Sequence, residues 1–163
     1  MNRDRSAPVP VTVHGPRGSA RLARPLGALV RAALALEGAR VGEIAITLAD
    51  DATLRGLNRA WRGIDRATDV LSFHYHSSGE PVSGDLVIST ERWHEQARRF
   101  RTTRGRELAR LVVHGALHLA GLDHHRAAER RHMRAQEVRA LRDGTKEVRA
   151  LERAVDRPPS GNA

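Results

Sequence analysis

Cysteine is absent from this 163-residue chain. That excludes disulfides and thiolate metal sites, so any transition-metal site must draw on His, Asp or Glu. Aromatic residues are scarce, at 3% of a chain that is 40% hydrophobic. The core must therefore be mostly Leu, Val, Ile and Ala. No stretch interleaves basic residues with several aromatics in the manner of a base-stacking platform. Nor does any apolar run approach the roughly 20 residues that span a bilayer. The first residues, MNRDRSAPVP, lack the apolar middle of a signal peptide. A cytoplasmic protein with no membrane partner is expected.

What the chain has is positive charge. Its formal net charge is +9, and arginine supplies nearly all of the basic side chains. Such a balance favours polyanionic partners, because each phosphate contact releases counterions. A generic solvated surface would give the same charge, so it weighs only modestly. The length suits one domain with a real core. We place that domain at 1–157 and a flexible tail at 158–163.

Periodicity outlines the elements. Residues 9–14, 43–49, 69–75 and 84–90 read as strands. Pro25 opens an apolar-periodic stretch that reads as a helix ending at Gly38. Asp50 or Asp51 can cap a second helix running to Trp61, and a third covers about 91–100. Residues 104–120, RGRELARLVVHGALHLA, read as a largely buried helix whose Glu107 and Arg110 sit toward a wetter start. AAERRHMRAQEVRALR is the last, strongly charged helix. Strands near the front and helices at the back predict an α+β fold, with helices packed on a small mixed sheet.

The most informative run is H-G-A-L-H-L-A-G-L-D-H, from His114 to His124. His114 and His118 lie four apart, one turn apart on the same helical face. Gly121 lets the helix end in a left-handed conformation and the backbone turn. That turn can bring His124 to the same ion. Three imidazoles with one open position is the arrangement of a catalytic zinc site, and one Zn2+ ion is expected. Asp123 stands beside the third ligand. It could fix that ring's tautomer or serve a turn or the next helix as a cap; the cap or turn role is preferred. Zinc lowers the pKa of coordinated water to about 7, which suits attack on an acyl carbon or a phosphorus.

The spacing H-x-x-x-H-x-x-G-x-x-H matches the metal-binding stretch of metzincin peptidases. Those peptidases carry a glutamate base directly after the first histidine. Here that residue is Gly115, which argues strongly against peptide hydrolysis.

The run from His114 to His124 closely resembles the signature of the YbeY family. Upstream, Asn58, Trp61-Arg62-Gly63 and Thr68-Asp69-Val70-Leu71-Ser72-Phe73 follow that family's N-x-x-[FY]-R-x…T-[DN]-V-L-S-F pattern, and Gly84-Asp85-Leu86 follows its G-D-[IL]. Departures are small: Trp61 replaces a usual Phe or Tyr, and Leu122 a frequent Tyr. The likeness covers about 43–125. It implies a single-strand-specific, metal-dependent endoribonuclease that matures the 3′ end of the small-subunit (16S) ribosomal RNA and removes defective ribosomes. The implied partners are ribosomal RNA, the small subunit and ribosome-assembly proteins. The resemblance also implies a catalytic role for Arg62 in the metal cleft, where a guanidinium offers bidentate bonds to phosphate. Thr68, Asp69 and Ser72 are expected to order the loop and strand, and Asp85 to bond at the strand's start. Two alternatives stand beside this reading. One is a metal-dependent hydrolase of small amides or esters, which a deep, narrow pocket would favour. The other is a non-catalytic ribosome-assembly factor with a structural metal, which a fourth protein ligand would favour.

Overall fold

A computed structural model describes residues 11–156. The chain runs β1 (Val11–His14), α1 (Ala23–Leu36), β2 (Val41–Ala49), α2 (Asp51–Arg62), β3 (Val70–His74), β4 (Val82–Ser89), α3 (Thr90–Arg99), α4 (Arg104–Leu119), α5 (Ala127–Asp143) and α6 (Thr145–Val155). The strands form one sheet in the order β1-β2-β4-β3. β2 pairs parallel with β1 and β4, while β3 runs antiparallel to β4. The fold is thus the α+β arrangement expected, with a mixed sheet. It leaves β3 at an edge, with one side of its backbone unpaired by any described strand.

Strand alternation sorts the two faces of the sheet. Ile44, Ile46 and Leu48 of β2 and Leu86 and Ile88 of β4 point into the main core, which α1, α4, α5 and α6 complete. On the opposite face Val87 and Leu71 meet Leu54 of α2 in a much smaller cluster. α4 is the central element: Leu108, Leu111, Val112, Val113, Ala116 and Leu117 are all at most 1% exposed. Burying each large aliphatic side chain contributes about 1.5–3 kcal/mol, so this helix is rigidly seated. Its start is fixed twice. The Thr103 hydroxyl accepts from the Arg106 N–H at 3.1 Å, and the Asp156 carboxylate accepts from the Arg104 and Gly105 N–H groups at 2.8 and 2.9 Å. Gly105 lets α6 approach, because a Cβ there would lie 2.6 Å from the Glu152 Cα.

Three sequence expectations need correction. α6 was not foreseen. Gly144 separates it from α5, and its apolar stripe of Val148, Leu151 and Val155 is short and set among charges. Glu107 does not face water: it is 2% exposed, and Arg110 reaches back one turn to pair with it at 2.6 Å. A buried carboxylate of this kind persists only when paired and hydrogen-bonded. Strand β2 begins at Val41 and β4 at Val82, two residues before the expected starts. The expected strand at 9–14 is found from Val11 onward, its first two positions lying outside the described residues. The tail placed at 158–163 also lies outside them. Among the described residues, no helix is long and apolar enough to cross a membrane.

Candidate metal centre and cleft

The last turns of α4 carry His114 and His118 on one face, with ring centroids 4.7 Å apart. The helix then stops at Gly121, whose φ of +96° suits glycine and strains other residues. Two bonds close this end: the Gly121 N–H donates to the His118 carbonyl at 2.9 Å, and the Leu122 N–H to that of Leu117 at 3.1 Å. The turn delivers His124, whose Nδ1 lies 3.1 Å from the His118 Nε2. One nitrogen from each of the three rings falls within 4.8 Å of the other two. The Asp123 carboxylate accepts from the His124 N–H at 2.7 Å, so its role is to hold this turn. At the start of α5, the Glu129 carboxylate accepts from the Arg126 N–H instead.

These residues fit a zinc ion. Nitrogen ligands sit about 2.0–2.1 Å from zinc, and two nitrogens 3.1 Å apart can flank one such centre. The donors are all imidazoles, which bind metal in the neutral form. Burial holds the His118 ring below its usual pKa, and the neighbouring His114 and His124 add to the effect. Among the described residues, no fourth side chain joins the cluster. A tetrahedral ion held by these three rings would keep one position for water or substrate.

Sequence reasoning missed Glu137. This residue of α5 bonds His114 through Nδ1, so Nε2 is the nitrogen left for a metal. A carboxylate in that position fixes the tautomer and orientation of a ligating imidazole and raises its basicity. Behind it stands Arg110, held more firmly protonated first by its hydrogen bonds to Glu107 and, further down, by the charges of Glu137 and Asp69. The signal was present in the sequence. Glu137 lies four residues after Met133 and three before Ala140, both buried, and so interrupts the inward stripe of α5. Removing the Glu137 carboxylate (Glu137→Ala) is expected to weaken zinc binding roughly 10–100-fold. Competition against a chromophoric chelator measures it. Wild-type affinity would reduce Glu137 to a packing contact.

Arg62 closes α2, and Gly63 follows it with φ +69°. The loop beyond is tied back twice: Arg55 pairs with Asp65 at 2.8 Å, and the Asn58 amide donates to the Arg66 carbonyl at 2.9 Å. Arg62 Nη2 donates to the Ser72 carbonyl at 3.1 Å, on the outer edge of β3. The guanidinium thereby lines a cleft of about 650 Å³ together with His114, His118, His124, Ser72 and His74. Arg62 and the three histidines, more than fifty residues apart in sequence, thus share one cavity. Thr68 and Asp69 also border it. The Asp69 carboxylate accepts from the Val70 N–H at 2.8 Å and from Gln96 at 3.1 Å, which orders the start of β3. Asp85 faces away from the cleft and accepts from the Tyr75 hydroxyl. Gly115 faces the sheet: a Cβ there would lie 2.9 Å from a Leu86 methyl. Any side chain at this position would have to displace Leu86.

Residues 19–144 match the family model described as Endoribonuclease YbeY. Similar proteins named Endoribonuclease YbeY include one from Anaeromyxobacter sp. (strain Fw109-5), 44% identical over 78% of this chain and 67% of its own length. Another, from Anaeromyxobacter dehalogenans (strain 2CP-C), is 42% identical over 91% of this chain and 82% of its own. A third, from Pelotomaculum thermopropionicum, is 40% identical over 82% of this chain and 95% of its own. Among solved structures, TM1509 from Thermotoga maritima superposes with a TM-score of 0.63 at 25% identity, covering 94% of this chain and 99% of that one.

Proposed function

Since this chain belongs to the YbeY family of endoribonucleases, we propose that it is a zinc-dependent endoribonuclease that cuts single-stranded RNA. Its metal ligands are His114, His118 and His124, and its catalytic side chain is Arg62. The observation that carries this reading is the single cleft lined by Arg62 and all three histidines. Bound by these three histidines, zinc would supply Lewis acidity and lower the pKa of water. The chain's own residues do the rest. Glu137 holds His114 in register through Nδ1. Arg62 offers a planar fork to the two non-bridging phosphate oxygens and offsets the charge that grows on them. The net charge of +9 favours the polyanion over its surroundings.

The physiological substrate in this proposal is ribosomal RNA, with maturation of the small-subunit RNA 3′ end and ribosome quality control as the setting. The cytoplasm is the compartment, and 1–157 form one catalytic domain. A small-substrate hydrolase fits the cleft less well, because His124 and Arg62 are exposed at its rim rather than sunk in a narrow pocket. A purely structural metal fits less well beside a three-ligand cluster.

The test compares a defined single-stranded RNA, its duplex and casein, each with and without chelator. Cleavage of the single strand, lost with chelator and restored by zinc, is expected, with casein untouched. Chelator-sensitive proteolysis without RNA cleavage would overturn the proposal. Cleavage should also weaken steeply as salt rises, since phosphate contacts release counterions.

A further inference from the structure

The chain has two Trp, one Tyr and two Phe, and three of these five line a single groove. That groove, of about 700 Å³, lies on the face of the sheet opposite the metal centre and is bordered by Trp61, Phe73 and Tyr75. Its origin is the alternation of β3. Ser72 and His74 point toward the metal cleft, while Leu71 and Phe73 point to the α2 side, and Tyr75 continues that face. Tyr75 stays in the ladder through its N–H, which donates to the Ser83 carbonyl at 2.9 Å. On this face Leu71 and Val87 are buried against Leu54 of α2, Phe73 is partly buried, and Tyr75 is exposed.

Trp61 is 73% exposed and Tyr75 67%. Large rings left in water on a chain so poor in aromatics call for an explanation. They are also held in place. Trp61 meets the edge of Phe73 at 6.4 Å between centroids, Arg62 stands 5.9 Å from the Phe73 ring centre, and the Tyr75 hydroxyl is pinned by Asp85. Rigid rings need less ordering when a ligand stacks on them.

The groove is continuous with the cleft. Arg62, Ser72 and His74 border both cavities. They meet at β3, an edge strand, so an extended chain can cross from one side to the other. We propose that this groove is a base-stacking subsite, in which an unpaired nucleobase flanking the scissile phosphate lies against Trp61 and Tyr75. The occupant follows from the position: what fills the groove must be joined to what Arg62 holds, and every base offers a π-face to an aromatic ring. A duplex, whose bases stack on each other, cannot enter. The subsite would thereby select unpaired RNA, and it rests on the ribonuclease reading.

Trp61 itself reports on the test. The other tryptophan, Trp93, is 4% exposed, and its ring N–H donates to the Arg104 carbonyl, so its emission is a constant background. The full chain, with chelator present, is titrated with oligoadenylate, an abasic oligomer of equal length, and an oligoadenylate–oligouridylate duplex. Cleavage of oligoadenylate by the zinc-loaded protein is followed in parallel. Oligoadenylate should quench Trp61, and the other two should not. Read by fluorescence anisotropy of end-labelled oligomers, which needs no tryptophan, Trp61→Ala and Tyr75→Ala should each weaken oligoadenylate binding about tenfold or more, leave abasic binding unchanged and leave the melting temperature near wild type. Trp61→Phe should keep most of the affinity. Unchanged oligoadenylate affinity in both alanine variants, with cleavage intact, overturns the subsite alone. Absence of both binding and cleavage overturns the subsite and the ribonuclease reading together.

Discussion

Replacing His118 with alanine is expected to abolish zinc retention and to reduce RNA cleavage at least about a thousandfold, with the fold intact. His118 is central to the cluster, adjoining His114 through the helix turn and His124 through their facing nitrogens. A metal ion at a reacting phosphate supplies several kcal/mol of transition-state stabilisation, and each 1.36 kcal/mol or so is a factor of ten in rate. The ring is only half-buried, and the aliphatic face of α4 lies on the other side of the helix. Loss of the imidazole should therefore spare the core. Zinc content by elemental analysis, cleavage of a defined RNA and a thermal melt measure the three claims separately. A variant that keeps a stoichiometric zinc would show that His118 is not a ligand. One that cuts RNA normally would point to a contaminating nuclease.

What the sequence reveals and what it hides divide along physical lines. The helix of 104–120 is legible because its apolar run is long and its histidines repeat at the helical period. The turn at Gly121 is legible because only one residue type takes a positive φ cheaply, and His124 follows it at a fixed offset. Other features depend on partners distant in the chain. Glu107 looks solvated until Arg110 is folded onto it. Glu137 interrupts the apolar stripe of an arginine-rich helix, but its partner shows only when α5 is laid against α4, where it meets His114. Helix α6 carries too short an apolar stripe to stand out, and its stability comes from burial of Val148 and Leu151 and the close approach at Gly105. The aromatic groove was hidden most completely. Trp61 lies on a helix, Phe73 on a strand and Tyr75 just past that strand's end, so no linear stretch is rich in aromatics, and only the edge position of β3 brings them together.

Arg62→Lys is expected to lower kcat roughly 10²–10³-fold without changing zinc content, the range seen when one preorganised transition-state donor is lost. The substitution keeps the charge, so it isolates shape. Arginine presents a rigid planar fork, whereas lysine is a flexible point charge. In this chain the fork has two further supports: one amino group donates to the Ser72 carbonyl at 3.1 Å, and the guanidinium stands 5.9 Å from the centre of the Phe73 ring. Both fix the plane beside the cleft before substrate arrives, and a lysine ammonium would lose the planar match and gain motion. Arg62 is exposed and closes its helix, so little stability depends on it, and the melt should match wild type. KM should change far less than kcat, because ground-state attraction to the polyanion is spread over many other arginines while charge growing on the scissile phosphate is met by this one. Single-turnover cleavage on zinc-loaded protein separates the two. Wild-type kcat in Arg62→Lys would leave Arg62 an ordinary surface charge. A fall in zinc content would mean that it acts on the metal centre instead of on the phosphate.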